Sequence, residues 1–303
     1  MTQRTINKIK ILKAFIFSFF VSFFLINCGG ENDNPIEPVH SFEEEVAEEM
    51  DYKLPQIDLS NWKVTLPIGD PTEVAPPEIL DYAKNEVLKP FFYNDSVEGA
   101  LVFYTYPSAS TANSSYSRTE LREQMTPGSN SHNWIFSQGG KMKGRLAVPE
   151  ISKDANGDPH RTIVMQIHGR LTDEQRDLID APDHNAPPIL KIYWVEGKVR
   201  VKSKLIKKKE ASLKEMLLVS AWDDDEGFTF SEAVGNEMFT LEILASKGRI
   251  EVILNEKDSW VKEDVSLEKW EVFENYFKAG NYLVSKEKDA FAYVKYYELK
   301  VSH

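Results

Sequence analysis

From residue 54 to residue 303 the chain is a succession of short runs rich in β-branched and aromatic residues. Several alternate at period two, and turn signals separate them. The runs cover residues 101–106, 118–124, 141–148, 161–168, 189–195, 198–205, 239–245, 249–254 and 291–301. Two of the breaks have hairpin form. Glu196-Gly197 separates two basic, β-branched runs, and Ser246-Lys247-Gly248 separates Leu241-x-Ile243 from Ile250-x-Val252. Helical spacing is confined to 77–88, 171–179 and 267–276, short pieces that decorate loops rather than build layers. A chain with so many strands and so few helices folds as an all-β protein, a β-jelly-roll sandwich of two antiparallel sheets with a few short helices in its loops. No repeat of solenoid or propeller period interrupts it, so residues 56–303 read as one domain.

Ahead of that domain, Arg4, Lys8, Lys10 and Lys13 precede a 13-residue apolar run at 14–26 that is short for a bilayer span, the pattern of an export signal. Cys28, the sole cysteine, follows Leu25-Ile26-Asn27 and resembles the lipidated cysteine of a bacterial lipoprotein box. That resemblance makes 1–27 a removed signal and Cys28 a lipid anchor in a bacterial membrane, on the periplasmic or cell-surface side. Ordinary secretion with cleavage nearby is the alternative. A single cysteine excludes an intrachain disulfide. Residues 29–53 hold nine acids against Lys53, with Gly29, Gly30, Pro35 and Pro38 early, so 28–55 reads as a solvated acidic tether. The formal net charge is −12, and removal of the signal, with its four cations and no acids, makes it −16. Such a balance argues against nucleic acid as a partner, and admits an acidic substrate only where cations gather locally. The expected state is a monomer.

Three runs carry polar residues on one face, because residues two apart in a strand share a side. In Ser-Arg-Thr-Glu-Leu-Arg-Glu-Gln, Arg118, Glu120, Arg122 and Gln124 line one side and Thr119, Leu121 and Glu123 the other. A solvated face of an amphipathic strand has the same pattern. In Arg161-Thr-Ile-Val-Met-Gln-Ile-His168, Ile163, Met165 and Ile167 share one face, and Thr162, Val164, Gln166 and His168 the other. So apolar a strand is central in its sheet, and its histidine is either a satisfied structural group or a proton acceptor. In Tyr276-Phe-Lys-Ala-Gly-Asn-Tyr-Leu283, Tyr276, Lys278, Gly280 and Tyr282 fall together, with Gly280 marking a bulge or an opening where a ligand approaches.

Pooled on one concave surface, Arg118, Arg122 and Lys278 bind anions, Gln166 donates an amide hydrogen bond, and His168 and Tyr282 exchange protons. That set suits β-elimination of a uronic-acid polymer, in which removal of the C5 proton beside a carboxylate builds up a dianion. Cations and an amide stabilise it, a base takes the proton, and an acid protonates the departing O4. Histidine, with a reference pKa near ~6.5, is available as the neutral base. Tyr282 is the acid, nearby cations easing formation of its phenolate, and it serves as both base and acid where the C5 proton lies on its side. The scheme needs no cofactor and no metal, and the scattered histidines show no zinc-like spacing.

Arg118-Thr-Glu-Leu-Arg122, Gln166-Ile-His168 and Tyr276-Phe-Lys-Ala-Gly-Asn-Tyr282 resemble, in order, the three signature segments of alginate lyases of polysaccharide lyase family 7. Asn61-Trp-Lys-Val-Thr-Leu-Pro67 resembles the family's first strand, so the likeness covers nearly all of 56–303. It implies a jelly roll with a catalytic groove, alginate or its oligosaccharides as partner, Arg118 and Gln166 as carboxylate neutralisers, and His168 and Tyr282 as proton carriers. It also implies Glu120, Arg122 and Lys278 as sugar-binding groups. Isoleucine between Gln166 and His168 is the variant associated with guluronate-containing stretches. Leu283-Val284 stands where the family commonly has Asn-Gln, so contacts beyond Tyr282 differ. The long insertion from Gly169 to Pro188 resembles a branch that includes exolytic enzymes.

Lys191, Lys198, Arg200, Lys202, Lys204, Lys207, Lys208 and Lys209 either add positive potential near the groove or form a solvated hairpin. A jelly-roll glucanase would need paired carboxylates at hydrolytic spacing, and no strand-borne Glu-x-Asp-x-x-Glu is present. A non-catalytic carbohydrate-binding jelly roll, or a lyase for another polyuronate, are the remaining alternatives. A binding module has no use for His168 and Tyr282 together.

Overall fold

The computed structural model describes residues 53–110 and 114–303. The expected signal at 1–27, Cys28 and most of the 28–55 tether lie outside the described residues. In chain order the strands are β1 (Gln56–Ile57), β2 (Trp62–Thr65), β3 (Glu73–Val74), β4 (Phe92–Asp95), β5 (Ala100–Thr105), β6 (Arg118–Glu123), β7 (Gly140–Ile151) and β8 (Thr162–Arg170). They continue as β9 (Asn185–Val195), β10 (Lys198–Ile206), β11 (Trp222–Asp224), β12 (Phe228–Ala233), β13 (Phe239–Ser246), β14 (Arg249–Leu254), β15 (Asp258–Lys262), β16 (Glu274–Leu283) and β17 (Ala292–Ser302). One sheet runs β15-β14-β13-β7-β17-β5-β4, with β1 added parallel to β17. The other runs β11-β10-β9-β8-β16-β6-β2-β3, with β12 on β10. All pairings but that of β1 are antiparallel, giving the jelly-roll sandwich expected. The turn at Glu196-Gly197 takes positive φ at both residues, 49° and 76°, the backbone a two-residue hairpin demands.

Between the sheets lies one large apolar core. Phe103 meets Phe92 and Tyr296 edge to face at 5.1 and 5.3 Å. Polar ties cross it as well. Tyr296 donates its hydroxyl to the Val164 carbonyl at 2.6 Å. Asn281, fully buried, donates to the carbonyls of Phe103 and Ala292 and accepts from the Thr162 hydroxyl, so that β16 is held to β5, β17 and β8 together. Buried amides of this kind hold their place because an unpaired one is costly.

The strand reading holds and the helical one shrinks. Residues 77–88 form only a 3₁₀ turn, Glu78–Asp81, followed by bends. Helix α1 (Asp173–Leu178) starts at a capping box between Thr172 and Gln175, α2 (Leu213–Met216) is one turn, and α3 (Val265–Trp270) is the third. The expected 267–276 helix ends at Trp270, and after a turn its last three residues are strand. Asn275 accepts from the Trp270 indole at 2.8 Å and exchanges backbone hydrogen bonds with Trp134, which pulls the chain into β16.

The face assignment in β8 also changes. Ile163 pairs with Tyr193 and Met165 with Ile192, so Val164 is an extra residue relative to β9. This bulge turns Ile163 toward the cleft with Gln166 and His168, and sends Val164 and Thr162 inward. Gly280 sits at the matching irregularity of β16 with φ +143°. A Cβ there would lie 2.6 Å from the Thr119 carbonyl oxygen and 2.8 Å from Glu120 Cα, so the glycine serves close strand approach rather than a ligand opening. Gly280→Ala should therefore lower unfolding stability by about 2–4 kcal/mol, read from the denaturant midpoint; an unchanged midpoint would contradict the strain argument.

Candidate active site

Strands β8, β16 and β6 are neighbours, and their register places the candidate side chains in rows. Tyr276 lies opposite His168, Lys278 stands between Gln166 and Arg122, and Tyr282 stands between Ile163 and Arg118. Gln166, His168, Lys278, Tyr282 and Arg118 line one cleft of about 240 Å³ together with Tyr116, Arg161, Ile163, Lys191 and Tyr193. The structure thus brings together the groups that the three segments contribute.

Glu120 is the centre of this arrangement. It is 1% exposed, forms an ion pair with Lys278, accepts from Gln166 Nε2 at 2.6 Å and lies 3.8 Å from Arg118 Nε. Gly280, directly opposite Glu120, puts no side chain in the way as the carboxylate reaches across β16 to β8. Expected to touch sugar, Glu120 is instead a buried counter-ion. Arg122, also expected there, is engaged below: it donates to the Asn130 carbonyl at 3.0 Å and Asn133 Oδ1 at 2.7 Å and stacks 4.1 Å over the Tyr276 ring. Gln124 lies past the end of β6, bonded to Asn130. Arg118 is different, since its buried Nε has no hydrogen-bond partner among the described residues. The Arg118 side chain as a whole is 17% exposed, so its guanidinium and the second N–H of Gln166 stand where a carboxylate entering the cleft could meet them.

His168 Nδ1 lies 2.9 Å from the carbonyl oxygen of Gly169 and 3.1 Å from the Tyr276 hydroxyl. A carbonyl oxygen only accepts, so Nδ1 carries the proton and the Nε2 lone pair is free. The ring also stacks on Tyr276 at 5.2 Å. Burial, then the charge of Lys278, push its pKa down to about 3, so the imidazole is neutral through the physiological range. Lys278 is itself pushed down to about 8 by burial, with Glu120 opposing. Tyr282 departs from expectation. Burial raises its pKa, outweighing the lowering by Ser114 and Arg118, so the resting phenol keeps its proton. Ser114 donates to the Tyr116 carbonyl at 2.8 Å, which leaves its oxygen to accept from Tyr282 at 3.1 Å.

Beyond Tyr276 the cleft continues into a second chamber of about 380 Å³ that includes Lys63, Arg122, Arg170, Asp183, His184 and Tyr276. Its far wall comes from the Gly169–Pro188 insertion, braced by α1: His184 meets Asp173 at 2.7 Å, and Gln175 Nε2 donates to the Val272 carbonyl. Of the basic hairpin run, only Lys191 lines either chamber, and Asp224 holds it at 2.9 Å while also pairing with Lys204 at 2.7 Å. Ser114, Tyr116, Arg161, Tyr193, Lys63 and Arg170 were not legible as site residues, because loop closure and cross-strand packing, not local pattern, bring them in.

A cation-lined cleft on a jelly roll, in which a neutral imidazole, a protonated phenol and the Arg118 guanidinium meet, defines a lyase of acidic polysaccharides. The model of the alginate lyase family matches residues 57–303, and the chain belongs to that family, polysaccharide lyase family 7. Among solved structures, alginate lyase A1-II', described as a member of that family, is 28% identical over 82% of this chain and 96% of its own, with a TM-score of 0.65. Alginate lyase AlgAT5 is 26% identical over 81% and 95%, with a TM-score of 0.57. An alginate lyase from Pseudomonas aeruginosa, 20% identical over 82% and 100% with a TM-score of 0.60, shares the fold. Variants of A1-II' carry product GGG or substrate GGMG. No match is found among curated protein sequences.

The shifts carry a signed pH prediction. In the base role expected of His168 the active form is the free base, and a pKa of about 3 keeps the ring in that form far below 6.5. The acid limb of kcat/KM should lie well below 6.5, and an alkaline limb should appear near 8 as Lys278 loses its charge, before Tyr282 ionises above 10. A pH–rate profile with Lys278→Arg alongside checks this: arginine keeps its charge and should move the alkaline limb upward.

Proposed function

We propose that this cleft cleaves alginate at guluronate-containing stretches with His168 as base and Tyr282 as acid, working from chain ends. Arg118 and Gln166 take the carboxylate of the reacting uronate. His168 Nε2 removes the C5 proton, the electron pair delocalises into the carboxylate, and a C4–C5 double bond forms as the C4–O4 bond breaks. Tyr282 gives its proton to O4, and exchange with water resets the two groups. Glu120, Arg122 and Tyr276 hold Lys278, Gln166 and His168 in place. The observation that carries this reading is the Nδ1 contact of His168 to Gly169, which leaves Nε2 as a lone pair on one side of Gln166 with the Tyr282 hydroxyl on the other.

Separate base and acid suit guluronate, whose C5 hydrogen and O4 leave from opposite ring faces, whereas its C5 epimer presents both to one side. Binding of GGG by a related enzyme supports the same preference. Ile167 is buried in the core, so its influence on sugar choice runs through the strand rather than through contact. The braced insertion beside the second chamber supports end-wise action. An exported, lipid-anchored monomer is the working state proposed for the whole chain.

His168→Ala and Tyr282→Phe should each lower formation of unsaturated uronate ends by about 10²–10⁴-fold while oligosaccharide binding persists. Full elimination activity in both would overturn the assignments. Block-defined alginates sampled early should yield short products from guluronate blocks first; a profile dominated by long oligomers would sink the end-wise reading.

A further inference from the structure

We infer that Arg161 is a second carboxylate-binding point, for a uronate beyond the reacting one on the Tyr282 side, and that it sets how much chain the enzyme grips. The inference rests on the polyuronate reading of the cleft and adds a specificity-determining residue to it.

The two ends of the cleft differ in how their cations are held. On the Tyr276 side Lys63 pairs with Glu73 at 2.6 Å, Arg170 pairs with Glu274 at 2.8 Å, and Arg122 is bonded to Asn133 and Asn130. On the Tyr282 side Lys191 is tied to Asp224. Arg161 alone among the arginines and lysines lining these chambers is exposed and forms no ion pair or side-chain hydrogen bond among the described residues. Its one contact is stacking, with the guanidinium carbon 5.7 Å from the centre of the Tyr193 ring. A stacked guanidinium is oriented yet keeps its N–H fork for a planar anion.

Placement supports the same role. Arg161 immediately precedes β8, five residues before Gln166 and roughly 15 Å along the chain, and its carbonyl accepts from Val284 N at 2.9 Å, which fixes the backbone at the cleft rim. Between Arg161 and the reacting groups the lining is Ile163, Val284 and the ring of Tyr193. The aliphatic side chains of Ile163 and Val284 offer a sugar no hydrogen bond. Charge recognition of an outlying uronate therefore falls to Arg161. An uncharged glycan has nothing to gain from it.

The test is a kinetic series on guluronate oligomers of increasing length. Arg161→Ala should raise KM for the longest substrates about tenfold, the loss of a charge-assisted contact, and leave kcat and the shortest cleavable oligomer unchanged. Arg161→Lys should recover part of the loss. Unchanged KM on long chains, or an equal effect at every length, would overturn the inference. Calorimetric binding of the same oligomers in a His168→Ala background reads Arg161 without chemistry. Absence of elimination by the parent would thus refute the cleft's reaction, whereas loss of length dependence would refute the role of Arg161.

Discussion

A carboxylate enclosed beneath a cleft that must attract carboxylates is the constraint around which this molecule is arranged. Glu120 is almost wholly shielded, and Lys278, Gln166 and Arg118 gather around it. Without that charge, Arg118 of β6 and Lys278 of β16 would converge with only their mutual repulsion and their lost hydration. Lys278 records the tension, since burial draws its proton affinity down while Glu120 holds it up. The compensation is incomplete by design of the geometry. One guanidinium nitrogen on Arg118, Nε, is left without a hydrogen bond among the described residues.

Regular strands, not loops, carry most of the reacting groups. Register between β8, β16 and β6 sets their order, and paired irregularities in β8 and β16 set which way they face. The same irregularity that swings Ile163 outward leaves Gln166 and His168 on the cleft side, so the position of the imidazole depends on a backbone feature several residues away. Burial then divides the proton work. It strips affinity from the histidine and adds it to the tyrosine, and each resting state is the one from which the proposed reaction starts.

Much of this was legible in the order of residues. Period-two alternation and turn chemistry located the longer strands of both sheets but not β1, β3, β4, β11, β12 or β15, and the three polar faces named groups that meet in the cleft. What escaped notice has physical reasons. Val164 breaks the alternation through a bulge, which is a property of pairing and leaves no trace in a single strand. Residues 271–276 carry helical spacing, yet Asn275 is captured by Trp270 and Trp134 from elsewhere in the fold. Glu120 looks like any exposed acid until the neighbouring cations are placed around it. The direction of the tyrosine shift depends on how far desolvation outweighs nearby charge, and no linear pattern encodes that balance.

Asn281, one residue before Tyr282, has its side chain locked into strands of both sheets. The phenol is thereby carried on a stretch of backbone that cannot drift without tearing polar ties on each side of the core. On the reading proposed above, change in diet, from one uronate to its epimer or from chain interior to chain tip, falls to the rims: the insertion at one mouth and the Arg161 margin at the other. A frozen chassis with exchangeable lips is a form on which selection can try new glycans while the proton-transfer step keeps its alignment.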